Sequence, residues 1–149
     1  MARLPYVLPE QLTDPEMREW LEASIDAGKP GPEIQSIRAH SPGVMRSFTK
    51  TREWIFHSGA VDHDLKELLR GYIAVSAGCT YCSNQGTSRQ WMQDPRKLDD
   101  MLNYRHSDNY SEREKAVLEY ADAIMWDPTL ADEALWERLT THFGPEELV

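Results

Sequence analysis

Helix-start signals recur at short intervals along this chain, and alternating apolar and polar runs, the mark of a half-buried strand, are nearly absent. Thr13-Asp14-Pro15 places a capping side chain before a proline in the first turn, where a missing N–H has no helical partner to lose. Met17, Trp20, Leu21 and Ile25 follow at helical spacing until Gly28. Gly31-Pro32 opens a short second helix carrying Ile34 and Ile37. Ser41-Pro42 caps a third, with Val44, Met45, Phe48 and Ile55 available for the core and Gly59 as its end. Asp62 starts a fourth, whose Leu65, Leu68, Leu69, Tyr72, Ile73 and Val75 make the wide apolar face of a central helix, broken by Gly78. Cys79 stands at or just before the start of a fifth helix running towards Trp91. Asp94-Pro95 opens a sixth with Leu98, Met101 and Leu102. Ser111 and Glu114 form a capping box for a seventh, which offers Val117, Leu118, Tyr120, Ala121 and Ile124 to the core. Asp127-Pro128 separates it from an eighth with Leu135, Leu139 and Phe143, closed by Gly144. Pro145-Glu146-Glu147-Leu148-Val149 reads as the first turn of a ninth helix cut short, too brief to be stable alone. The pattern predicts an all-α fold: one compact helical bundle over residues 1–149, with about seven to nine helices. Leftover apolar surface is expected to be hidden in an oligomer.

The remaining bulk properties narrow the function. With 149 residues, 40% of them hydrophobic and 28% charged, the chain can bury one core and does not have the composition of a disordered segment. A formal charge of −9 argues against nucleic acid, whose phosphates need a positive field. No apolar run approaches the ~18 residues of a membrane span, and Met1-Ala2-Arg3-Leu4-Pro5 lacks the apolar stretch of a signal peptide. The expectation is a cytoplasmic protein that binds neither membrane nor nucleic acid.

The chain has only two cysteines, Cys79 and Cys82, in a C-x-x-C arrangement. In a reducing compartment that is a redox pair, half of a metal site, or inert packing. Tetrahedral zinc needs two further ligands. The five histidines, His40, His57, His63, His106 and His142, are scattered without ligand spacing. Position and spacing favour chemistry. Cys79 follows a helix-breaking glycine at a helix start, where unpaired N–H groups and the helix dipole favour a thiolate. A cysteine three residues on lies on the same face, so the two sulfurs can join. Glu67 precedes Cys79 by twelve residues on the helix that leads into the pair, and a carboxylate there suits a proton shuttle. Glu67 also fits a plain alternative, a first-turn residue three after Asp64 in a capping-box-like arrangement. Tyr81 is open to two readings, core packing or a hydrogen-bond donor at the pair. The five tryptophans read as core and interface residues.

From Glu67 to Cys82 the sequence is ELLRGYIAVSAGCTYC, which resembles the alkylhydroperoxidase D-like family, also called the carboxymuconolactone decarboxylase superfamily. The likeness extends to Leu4-Pro5-Tyr6-Val7, Arg38-Ala39-His40-Ser41-Pro42-Gly43, Gly59-Ala60-Val61-Asp62, Ser111-Glu112-Arg113-Glu114 leading into Leu118, Tyr120 and Ala121, and Phe143 to Val149. The resemblance implies an all-α bundle assembling as a homo-oligomer, a dimer, trimer or hexamer. It further implies an oxidoreductase, a peroxiredoxin-like alkylhydroperoxidase of antioxidant type. In that scheme Cys82 attacks a hydroperoxide, Cys79 resolves it as a disulfide and Glu67 relays protons; Tyr81, by its own chemistry, is available to hydrogen-bond a thiolate or a peroxide oxygen. The implied partners are a small hydroperoxide and a dithiol reductant protein, with no bound cofactor or metal. The helix-start reading instead makes Cys79 the more acidic thiol. Both hold if Cys79 is the sulfur that exchanges with the reductant.

Two positions depart from the family's pattern. It commonly carries a histidine four residues after the second cysteine, here Gly86, and often another just before it, here Tyr81. Histidine is the side chain suited to proton transfer near neutral pH, and general acid–base help is worth about 10²–10⁴-fold, so a weak peroxidase is implied. His57 and His63 flank the start of the fourth helix, and Asn84, Gln85 and Arg89 add polar groups after the pair. Two other functions remain open: a non-redox, carboxymuconolactone decarboxylase-like enzyme acting on a small acid, and a non-enzymatic helical module that senses redox state.

Overall fold

Proline and a capping acid set most of the helix starts. The computed structural model describes residues 3–27, 32–83 and 94–149, and among these the regular structure is helical throughout. The chain divides into two compact units, Met1–Ser58 and Gly59–Val149.

In the first unit, a 3-10 turn at Pro9–Gln11 precedes α1 (Pro15–Ala27), α2 (Pro32–Arg38) and α3 (Pro42–Phe56). Asp14 caps α1 as expected, its Oδ1 accepting the Met17 N–H at 3.1 Å. Ser41 stands at the N-cap of α3 but makes no side-chain cap bond, so proline alone marks that start. Leu12, Met17, Leu21, Ala39 and Met45 form the core of this unit, with Val7 and Trp20 against it. The α3 residues expected in the core divide: Met45 is fully buried, whereas Val44, Phe48 and Ile55 are exposed. The Arg38 guanidinium covers one face of the Phe48 ring, 3.4 Å from its centroid. Ile25 is exposed as well.

The second unit carries α4 (His63–Ser76), α5 (Thr80–Ser83), α6 (Pro95–Asp99), α7 (Glu112–Met125), α8 (Glu133–His142) and the single turn α9 (Pro145–Leu148). Short 3-10 segments lie at Met101–His106 and Pro128–Leu130. The expected sixth helix is therefore two pieces. Asp100 leaves helical geometry and the chain tightens into a 3-10 run, which buries Met101 and Tyr104 but leaves Leu102 exposed. The capping box at α7 is complete: Glu114 N–H donates to Ser111 Oγ at 3.3 Å, and the Ser111 N–H donates to Glu114 Oε2 at 2.9 Å. The core of this unit includes Leu65, Leu68, Tyr72, Met101, Tyr104, Tyr110, Leu118, Leu135, Leu139 and Phe143. Ile73, Val75 and Ile124, expected inside, are exposed. Trp54, Trp126 and Trp136 are also exposed, so those three tryptophans are not core residues. Among the described residues no helix is long and apolar enough to cross a membrane.

Candidate active site

The site is built on α4 and the turn that follows it. Asp62 caps α4 by accepting the Leu65 N–H at 2.9 Å. That role belongs to Asp62, which leaves Glu67 outside the first-turn cap considered as its plain alternative. Glu67 is instead buried to 1% exposure, one turn into the helix. Its carboxylate is met by Arg70, with Nη2 donating at 2.8 Å and Nε at 3.2 Å to the same oxygen. Burying a charged group is costly unless it is paired and hydrogen-bonded, and the guanidinium fork supplies both contacts.

The same guanidinium reaches the cysteine pair. Arg70 Nη1 donates to the Cys82 carbonyl at 3.1 Å. One side chain thus joins the acid to the backbone of the second cysteine. The sequence carries a signal for half of this, since Glu and Arg three apart on a helix are neighbours. Nothing local announces the other half, because the Cys82 carbonyl arrives only when the chain folds back after α4.

That reversal depends on Gly78. Its φ of +64° lies in the left-handed region, and a Cβ there would meet nothing within 4 Å, so backbone conformation rather than space demands glycine. The Gly78 N–H donates to Val75 O at 3.0 Å and the Cys79 N–H to Ala74 O at 2.9 Å, the paired closing bonds of a helix C-terminus. Cys79 then serves α5 as its N-terminal cap. Its carbonyl accepts the Ser83 N–H at 2.9 Å, and its sulfur accepts the Cys82 N–H at 3.2 Å. A sulfur occupies the place usually held by a serine or aspartate oxygen.

Cys79 and Cys82 are joined as a disulfide, with Cα atoms 5.3 Å apart. Both are half-buried, so the bond lies within reach of a solvent-borne partner. Tyr81, between them, is 40% exposed, which excludes the core-packing reading. His63 is the first residue of α4, one turn before Glu67, and His57 caps the end of α3 in the first unit. Asn84, Gln85, Gly86, Arg89 and Trp91 lie outside the described residues. Among the described residues no group of three or more His, Cys, Asp or Glu is arranged to hold a metal ion.

A second polar cluster anchors α4 from another side, and sequence reasoning missed it. Asp122 on α7 accepts the Tyr72 hydroxyl on one oxygen, and on the other the Tyr104 hydroxyl and an Arg105 N–H, each at 2.9 Å. The Tyr72 and Tyr104 rings meet edge to face, 5.3 Å between centroids. Burial, then the hydrogen bond and charge of Asp122, push both phenols well above their ordinary range, so they remain donors. Tyr72 and Asp122 stand fifty residues apart, and no periodicity links them.

No protein-family model matches the chain, and no curated protein does. Two solved structures are similar. One is the alkylhydroperoxidase AhpD core of an uncharacterized peroxidase-related protein from Ralstonia eutropha, at 22% identity and a TM-score of 0.80, covering 98% of this chain and 78% of that one. The other is a protein of unknown function from Agrobacterium tumefaciens, proposed to be an antioxidant defence protein AhpD, at 24% identity and a TM-score of 0.67, covering 75% of this chain and 78% of that one. With its helices, its glycine reversal and its joined cysteines in place, the chain has the all-α fold of the alkylhydroperoxidase AhpD core.

Proposed function

We propose that this protein is a dithiol-dependent hydroperoxide reductase of antioxidant type, working through Cys79 and Cys82. The observation that carries the reading is the joined, half-buried cysteine pair whose second member is tied through Arg70 to the buried Glu67. Two AhpD-type structures with the same fold support it.

In the reduced protein, the Cys82 thiolate attacks the distal oxygen of ROOH. The O–O bond breaks, Cys82 becomes a sulfenic acid, and the alkoxide takes a proton to leave as ROH. Cys79 then attacks the Cys82 sulfur and expels the hydroxyl, which takes a proton and leaves as water, and the disulfide forms. An external dithiol exchanges with the disulfide and returns both thiols, its two electrons having reduced the peroxide. The dithiol exchanges at Cys79, which is half-buried and within its reach, and Cys82 is then the departing sulfur. Glu67 serves as the proton-relay carboxylate, and Tyr81, exposed between the cysteines, as a hydrogen-bond donor at the mouth of the site. The protein is expected to act as a homo-oligomer in the cytoplasm.

Thiol stoichiometry tests the reading. Fully reduced protein should lose two thiols per chain when a small hydroperoxide is added and gain a Cys79–Cys82 disulfide by peptide mapping. An unchanged thiol count with no disulfide overturns it.

A further inference from the structure

We propose that Arg70 is the positioning residue of this site, a fixed cation that pairs with the buried Glu67 and sets its own positive end against Cys82. The inference rests on the redox reading above and deepens it by naming what activates the second thiol when the motif positions 81 and 86 carry no histidine.

The geometry is a three-point tie. Nη2 and Nε hold one Glu67 oxygen at 2.8 and 3.2 Å, while Nη1 holds the Cys82 carbonyl at 3.1 Å. The Arg70 side chain is 20% exposed and that of Glu67 2%, so solvent reaches the arginine side of the pair more than the acid. The contact with the Cys82 carbonyl is made by the cation of this pair. Within one residue the carbonyl oxygen and the sulfur are separated by no more than about 5 Å, which puts the guanidinium within roughly 8 Å of the Cys82 sulfur. A unit charge at that range changes a thiol's ionisation by about twofold to thirtyfold, according to how far water screens it. Unlike an imidazole, a guanidinium does not lose its charge across the physiological range. Activation by Arg70 is therefore constant where histidine activation would titrate.

The test uses the reduced full chain with Cys79→Ser, so that only Cys82 reacts, and reads the rate of iodoacetamide alkylation against pH. Removing Arg70 alone would strand a buried carboxylate and risk the fold, so the comparison is Glu67→Gln against Glu67→Gln/Arg70→Gln. The expected result is a Cys82 titration higher by about a third of a unit to one and a half units in the double variant. Glu67→Gln/Arg70→Lys should recover most of the difference, because it restores the charge without the fork. His63, Asp64 and Lys66 on α4 and Tyr81 on α5 are common to all these variants and cancel. So do the charged pairs on elements packed against α4, namely Asp122 with Arg105, Lys97 with Glu114, and Arg113 with Asp62 and Glu147. Identical titrations of the single and double variants overturn the assignment. If those titrations differ as expected but reduced wild-type protein forms no disulfide with hydroperoxide, the redox reading fails and the electrostatic tie survives.

Discussion

Replacing Asp122 with alanine should be among the most damaging single truncations of a polar side chain in the second unit. Three donors converge on this carboxylate: the Tyr72 and Tyr104 hydroxyls and Arg105. A hydrogen bond to a charged acceptor contributes about 1.5–3 kcal/mol. The Arg105 pair, whose guanidinium is 48% exposed, contributes under about 1 kcal/mol. Both tyrosines are buried, so their hydroxyls would lose their charged acceptor in the core. The expected loss is therefore about 3–5 kcal/mol, read as a lower urea midpoint with an unchanged slope. Tyr72→Phe and Asp122→Ala should be strongly non-additive, with a coupling of at least about 1 kcal/mol in a double-mutant cycle. The cluster also predicts an alkaline limb. Burial first, and Asp122 second, raise the phenol pKa values in the fold. The folded state thus holds those protons more tightly than the unfolded one. The stability this contributes is whole below about pH 10 and declines as pH rises beyond it. A loss under about 1 kcal/mol for Asp122→Ala, or additive effects with Tyr72→Phe, would refute the reasoning that this carboxylate fastens α4 to α7.

Three further outcomes follow from other parts of the fold. Gly78→Ala meets no steric neighbour but must hold a φ of +64°, so it should cost about 1–2 kcal/mol in denaturant melts and slow disulfide closure by displacing Cys79. Ser111→Ala removes one arm of the capping box and should cost about 1 kcal/mol by the same measurement. Burial works against the Glu114 charge, but the Lys97 and Ser111 hydrogen bonds outweigh it and lower the pKa. Its stabilisation is therefore present above about pH 4.5 and lost as pH falls through the lower folded value. Lys97→Met should remove that part of the acid limb, a change visible in thermal melts between pH 3 and 5 taken about one unit apart.

Much of this fold is legible in local chemistry. Asp14, Asp62, Asp94, Ser111, Asp127 and Asp132 all accept a backbone N–H at or near the start of their helices or turns, because a short acceptor before a helix has few other uses. Core membership is less legible. Val44, Ile55, Ile73 and Ile124 carry apolar periodicity yet stand exposed, since periodicity names a face without naming what covers it. The sixth helix is not a single element because the backbone leaves helical geometry at Asp100 and continues as a 3-10 run, a break that apolar spacing does not mark.

The cysteine pair shows the same division. By itself the sequence determined that Cys79 and Cys82 share a helix start behind a reversing glycine, since i and i+3 spacing and a left-handed glycine are local facts. It also put Glu67 on the preceding helix. Only the tertiary structure decided that Glu67 is buried, that Arg70 holds both it and the Cys82 carbonyl, and that Asp122 secures the helix carrying them. Those contacts span twelve and fifty residues. A side chain's reach across a chain reversal or between packed helices is set by where the backbone goes, and sequence spacing alone does not encode it.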